Sequence, residues 1–193
     1  MEKIIKIAID FHRQALLSLE DQTEKLKEIA NLFISSLKKK GKIIFFGNGG
    51  SCADAQHLAA ELVGRFKRNR ASLAALALST NPCILTALGN DYGFEEVFSK
   101  QIEALVDSKD VVVGISTSGV SKNVIEAIKK AKEIGAYTVG LLGRDGGELK
   151  DLVDIALIVK AYEVPRIQEM HILIGHILCE IVEEALFGEG KET

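Results

Sequence analysis

No cysteine pair of metal-binding or redox spacing occurs in this 193-residue chain. Its three cysteines, Cys52, Cys83 and Cys179, form no CxxC unit and no zinc ribbon. Reduced thiols in a cytoplasmic protein are the reading that fits. A large excess of charge of one sign is missing as well. A net charge of −3 offers no broad basic surface, so nucleic acid is not expected as a partner. Long apolar runs are missing too. The most apolar late stretch, Ile167 to Leu186, is broken by Gln168, Glu169, His171, His176 and Glu180, a pattern that lipid tolerates poorly. The start, Met1-Glu2-Lys3-Ile4-Ile5-Lys6, has neither the apolar core nor the small-residue cleavage site of an export signal. A membrane partner is therefore not expected, and the expected location is cytoplasmic.

What is present suffices for a full core: 47% of the residues are hydrophobic, and a chain of this length is expected to form a single domain over residues 1–193. Residues 1–40 carry apolar side chains at helical spacing, with Asp21 and Glu24 placed to cap a second helix and Gly41 to stop it after the lysines at 38 to 40. From 41 to 187 the pattern alternates. Short apolar runs at Lys42–Phe46, Leu73–Leu78, Val111–Ile115, Ala136–Leu142 and Ile155–Val159 read as strands. Helices are expected at Ser51–Phe66, Phe94–Leu105, Ser121–Ile134 and Pro165–Leu186. Such alternation predicts an α/β fold, a three-layer αβα sandwich around a five-stranded parallel sheet. Ligands of these folds bind at the carboxyl ends of the strands, which points to the loops at 47–51, 79–91, 116–121 and 143–147.

The first of these loops, Gly47-Asn48-Gly49-Gly50-Ser51, lies between a buried strand and a helix. Its glycines suit a tight turn, Ser51 suits a helix cap, and the free N–H groups of the first helical turn favour an anion. Ser51-Cys52 follows Gly50 where a P-loop needs Lys and then Ser or Thr, so triphosphate hydrolysis is not expected. A dinucleotide fingerprint fails as well, because Cys52 stands where a third Gly or Ala belongs and no acidic residue ends the second strand. The third strand runs into Ser116-Thr117-Ser118-Gly119-Val120-Ser121, a set of hydroxyl donors at a helix start that suits phosphate oxygens. His57 and Glu61 are four residues apart and share a helix face. Gln168 and His176, eight apart, share nearly one face of the last helix. Two imidazoles, a carboxylate and an amide oxygen form a credible set for a divalent metal such as zinc. Taken singly, a His–Glu helix pair is also an ordinary surface contact, and a His in an apolar helix an ordinary core residue.

Together these stretches resemble a known family. Ile115-Ser116-Thr117-Ser118-Gly119-x-Ser121 is similar to the phosphosugar loop of the sugar isomerase (SIS) domain family. The Gly-Asn-Gly-Gly-Ser loop, His57-x-x-x-Glu61, Gly89-Asn90-Asp91-Tyr92-Gly93-Phe94 and Arg166-Ile167-Gln168-Glu169-Met170-His171 resemble its phosphoheptose-isomerase branch, from the N-terminal helices to about Leu186. The resemblance implies conversion of sedoheptulose 7-phosphate to D-glycero-D-manno-heptose 7-phosphate through a cis-enediol, the first step of nucleotide-activated heptose synthesis. It implies Glu61 and His176 as catalytic groups and zinc on His57, Glu61, Gln168 and His176. Sugar-phosphate contacts are implied for Asn48, Gly49, Gly50, Glu61, Asn90, Asp91, Ser116, Thr117, Ser118, Ser121 and Gln168. Val164-Pro165 departs from the polar or acidic residue that relatives often carry there. The chemistry matches the residue types, since a carboxylate can act as base and an imidazole as acid; Glu61 is assigned the first role and His176 the second.

The last helix carries apolar residues around more than one face, and the resemblance implies a homotetramer with sites at subunit interfaces. A regulatory relative that binds the DnaA replication initiator is the alternative. That relative lacks the acidic residue and the second histidine that this chain has as Glu61 and His176. A sugar-phosphate-responsive transcription factor would need a DNA-binding domain, for which residues 1–40 are too short and insufficiently basic.

Overall fold

The computed structural model describes residues 1–188. Two helices, α1 (Glu2–Glu20) and α2 (Thr23–Lys38), precede β1 (Ile43–Gly47) and α3 (Gly50–Val63). Then come β2 (Ala75–Ala77), α4 (Pro82–Asp91), a 3-10 turn at Phe94–Glu96, α5 (Ser99–Leu105), β3 (Val111–Ser116) and α6 (Lys122–Ile134). The chain closes with β4 (Tyr137–Gly143), α7 (Leu149–Leu152), β5 (Ile155–Val159) and α8 (Val164–Phe187). The five strands form one sheet in the order β2-β1-β3-β4-β5, every pair parallel. The three-layer α/β expectation is met.

Both faces of the sheet are covered, which is why its strands are apolar without alternation. Ile43 and Phe45 of β1 join a core with Ile29, Phe33, Leu58 and Ile174, from α2, α3 and α8. Ile44 and Phe46 point the other way, to Phe98, Ile102, Val124 and Ile128 from α5, α6 and the segment before α5. Strand order reverses between β1 and β3, where Gly47 pairs with Ile115. Helices leave these neighbouring strands toward opposite faces, so a crevice opens between their carboxyl ends. The Gly47–Ser51 and Ser116–Ser121 loops lie at that crevice.

Several local expectations change. Asp21 is the C-cap of α1, and Gln22 is the N-cap of α2 without a capping side chain. The Gln22 amide instead pairs with the backbone of Ile158 on β5, at 2.7 and 2.9 Å. The stop after α2 rests on Lys40, in the left-handed region at φ 58, while the Gly41 N–H donates back to Ser36 O at 2.8 Å. Gly49, at φ 56, is the N-cap of α3, and Ser51 lies inside the first helical turn and buried. The stretch 79–91 is mostly the helix α4: Asn81 Oδ1 accepts the N–H groups of Cys83 and Ile84, and Pro82 opens the first turn. Helix α3 ends at Val63 rather than Phe66, and α7 occupies a gap where no helix was predicted.

Candidate functional site

Helix α3 starts at the glycine loop and carries His57 and Glu61 on one face; α8 crosses it with His176. The three side chains meet. His57 Nε2 lies 2.9 Å from His176 Nε2 and 3.3 Å from Glu61 Oε1, and the donor atoms of all three lie within 4.8 Å of one another. Zinc–nitrogen bonds of about 2.0–2.1 Å in a tetrahedral set put ligand atoms roughly 3.3 Å apart. The separations and the donor types both fit such an ion. His57 is half exposed and Glu61 largely covered, with side-chain exposures of 48 and 23%. The cluster therefore opens to solvent on one side. Phe66 stacks on the His176 ring, with centroids 5.4 Å apart and planes at 29°.

Gln168 stands two turns earlier on α8, against the glycine loop. A Cβ on Gly50 would come within 2.7 Å of Gln168 Cδ, so the bare backbone at 50 leaves the room that the amide occupies. The other loop is held by its own hydroxyls. Ser116 Oγ is 3.1 Å from Ser121 Oγ and accepts the Gly119 N–H at 3.1 Å, while Ser118 Oγ accepts the N–H of Val120 at 3.4 Å. Ser121 is the N-cap of α6, and no side chain caps that helix start. The first-turn N–H groups there, with the positive end of the helix dipole, favour an anion. Thr117 and Ser118 are half-buried at the same turn. Asn90 and Asp91 are exposed at the end of α4, hydrogen-bonded to each other at 2.8 Å. Among the described residues neither makes a hydrogen bond to the two loops.

Three further residues at the site escape sequence reasoning. Asn123, buried in the first turn of α6, exchanges two amide hydrogen bonds with Asn48, at 2.8 and 2.9 Å, and so ties the serine loop to the glycine loop. An Asn two residues after Ser121 is a faint signal, because its partner lies 75 residues away. Asp54 sits on α3 one turn before His57. Burial pushes its carboxyl up to about 6, against a smaller downward pull from His57, and its Oδ2 is buried without a hydrogen-bond partner. Phe66 is the third, an aromatic residue just past the helix end with no motif to mark it.

The SIS domain family model matches residues 10–143. The chain is 56% identical over 173 residues to the phosphoheptose isomerase of Helicobacter pylori (strain P12), covering 89% of this chain and 90% of that one. It is 53% identical over 188 residues to that of Geotalea daltonii, covering 97 and 98%. A solved structure of the phosphoheptose isomerase from Neisseria gonorrhoeae superposes with a TM-score of 0.88 at 44% identity, covering 95% of this chain and 98% of the other.

Proposed function

Since the chain belongs to the SIS domain family and, within it, to the phosphoheptose isomerases, we propose that it converts sedoheptulose 7-phosphate to D-glycero-D-manno-heptose 7-phosphate. This is an aldose–ketose isomerisation through a cis-enediol, and it opens the synthesis of nucleotide-activated heptose, a lipopolysaccharide core precursor. The observation that carries the reading is the meeting of His57, Glu61 and His176 beside two anion-favouring loops.

The residues divide the work. The phosphate lies against Ser116, Thr117, Ser118 and Ser121 and the first-turn N–H groups of α6, where hydroxyls and helix dipole favour its charge. Asn48, Gly49, Gly50 and Gln168 line the sugar chain from the other loop, and Asn90 and Asp91 complete the set of sugar contacts. With the phosphate anchored, the reacting carbons are held at Glu61 and His176 rather than found by diffusion. Glu61 removes a proton from C1 of the ketose and returns it to C2. His176 gives a proton to O2 and takes one from O1, so the cis-enediol collapses to the aldose with protons balanced. His57, Glu61, Gln168 and His176 would hold a zinc ion, one in each subunit. When bound, such an ion supplies polarisation of the substrate's carbonyl and hydroxyl oxygens.

The protein works as a cytoplasmic homotetramer, each chain a single SIS domain, with sites at subunit interfaces. Supporting the assembly, α1 exposes Ile4, Ile5, Ile7, Leu16 and Leu17, which is more apolar surface than an isolated helix face leaves to water. Among the described residues no helix is long and apolar enough to cross a membrane. Nothing favours the DnaA-binding alternative, since Glu61 and His176 are both in place.

Turnover of sedoheptulose 7-phosphate by the purified protein, metal-stripped and zinc-loaded, tests the reading. The wild type should form the aldose, and Glu61→Gln and His176→Gln should both lose it. An intact oligomer inactive in both metal states would sink the enzyme reading.

A further inference from the structure

One buried ion pair outside the cluster touches each element that builds it. Arg70, between α3 and β2, donates from Nε to Glu183 Oε1 on α8 at 2.9 Å, and the two side chains are 2 and 3% exposed. A bare pair so deep would gain little, because desolvation cancels much of the attraction. This one is fully engaged. Glu183 also accepts the backbone N–H groups of Phe66, Lys67 and Arg68, at 3.2, 2.8 and 2.9 Å. Burial alone would raise its carboxyl, but those N–H groups and the guanidinium together hold it below the usual range. The remaining nitrogens of Arg70 donate to the carbonyls of Glu61, Leu62 and Ala71, at 2.9, 2.8 and 3.0 Å. The first two belong to the last turn of α3, which ends at Val63; the Leu62 carbonyl also accepts the Leu73 N–H at 3.1 Å.

The consequence is geometric. Glu183 fixes residues 66–68 to α8, and the ring so placed is Phe66, stacked on His176. Arg70 closes the last turn of α3, where Glu61 stands. We propose that Arg70 and Glu183 are positioning residues for the isomerisation, setting Phe66 as a wall that fixes the plane of the His176 imidazole and locking Glu61 opposite it. This rests on the isomerase reading of the same site. Neither residue touches the cluster's donor atoms, so both act through Phe66 and the helix end.

The alternative is a brace for the fold alone. Full-length Glu183→Gln, Arg70→Lys, Phe66→Leu and Phe66→Tyr variants separate the two. The readouts are kcat and KM for sedoheptulose 7-phosphate and, in metal-stripped protein, the NMR signal of the His176 ring protons, assigned by its loss in His176→Gln. A stacked phenyl ring displaces that signal by its ring current. Phe66→Leu should move it and lower kcat roughly tenfold while KM stays within about twofold, the scale seen when a group supporting a site residue is removed. Phe66→Tyr should keep both properties. Glu183→Gln and Arg70→Lys should reproduce Phe66→Leu, and adding Phe66→Leu to Glu183→Gln should cost little more, because the two act along one path. If Glu183→Gln does not fold, Arg70→Lys and Phe66→Leu decide. Folded pair variants with unmoved signal and unchanged kcat would overturn the proposal, as would a Phe66→Leu variant of normal kcat. The ring signal reads the positioning even if the wild type proves inactive, so failure of the isomerase reading is seen separately.

Discussion

Gly175 of α8 packs directly on Leu58 of α3, and a Cβ at position 175 would come within 2.5 Å of Leu58 Cδ1. Each is the chain neighbour of a site histidine, His176 and His57. The missing side chain is therefore what lets two helices approach until their imidazoles lie 2.9 Å apart.

Gly175→Ala should push the helices apart at that point. Leu58 is 1% exposed and has nowhere to retreat, so overpacking should cost about 1–3 kcal/mol and widen the histidine contact. Urea unfolding and isomerase assays check both effects. Leu58→Val in the same chain should recover part of each loss. A Gly175→Ala enzyme of full activity and stability would show that the approach has slack.

Asn123→Leu keeps approximate shape while removing both amide bonds to Asn48. Buried hydrogen bonds contribute on the order of 1 kcal/mol each, so the two loops should lose their fixed spacing and KM should rise about tenfold. The proton-transfer groups are untouched, and kcat should move less. Steady-state kinetics decide, and an unchanged KM would mean that the loops hold their spacing without this cross-brace.

The sheet was legible because its evidence is local. Runs such as Ile43-Ile44-Phe45-Phe46 and Val111-Val112-Val113 mark buried strands without reference to anything distant. Helix α4 was hidden because the whole stretch 79–91 was expected to be a loop at the strand ends, although Asn81-Pro82 is a start signal. His57 and Glu61 follow from helical spacing, but their meeting with His176, 119 residues from His57, was supplied by family resemblance rather than periodicity. Arg70 and Glu183, 113 residues apart, carried no such cue. A charged residue in a loop and another on a long helix are, in sequence, two ordinary surface residues.

Metal binding at the donor cluster is measurable as stability, without a turnover assay. A ligand that binds only the folded state at a hundred times its Kd stabilises it by about 2.7 kcal/mol. Zinc should raise the unfolding midpoint of the metal-stripped protein accordingly, and a chelator should reverse the rise. His57→Asn, which removes the nitrogen at the hub of the cluster, should abolish most of the gain at the same zinc concentration. An equal gain in that variant would place the ion elsewhere.

His171 ties the stability of the fold to pH. It is fully buried on α8, and burial holds its imidazole down at about 4, weakly opposed by the nearby backbone of Leu142. In the unfolded chain it titrates near its ordinary value, about 6.5. Between those values the unfolded state binds the extra proton, so stability is fully present above about 6.5 and falls as pH drops through the interval. A shift of this size corresponds to a loss on the order of 3 kcal/mol by about pH 4. His171→Leu fills similar space and cannot be protonated. Its unfolding free energy, followed in urea at pH 7.5, 5.5 and 4.5, should therefore decline less steeply than that of the wild type. Glu183 and Asp154, whose carboxyls are held low, contribute acid sensitivity of the same sign, but at lower pH and equally in both proteins. The difference between the two curves thus isolates His171, and parallel curves between pH 7.5 and 4.5 would show that the ring is not kept neutral by the fold.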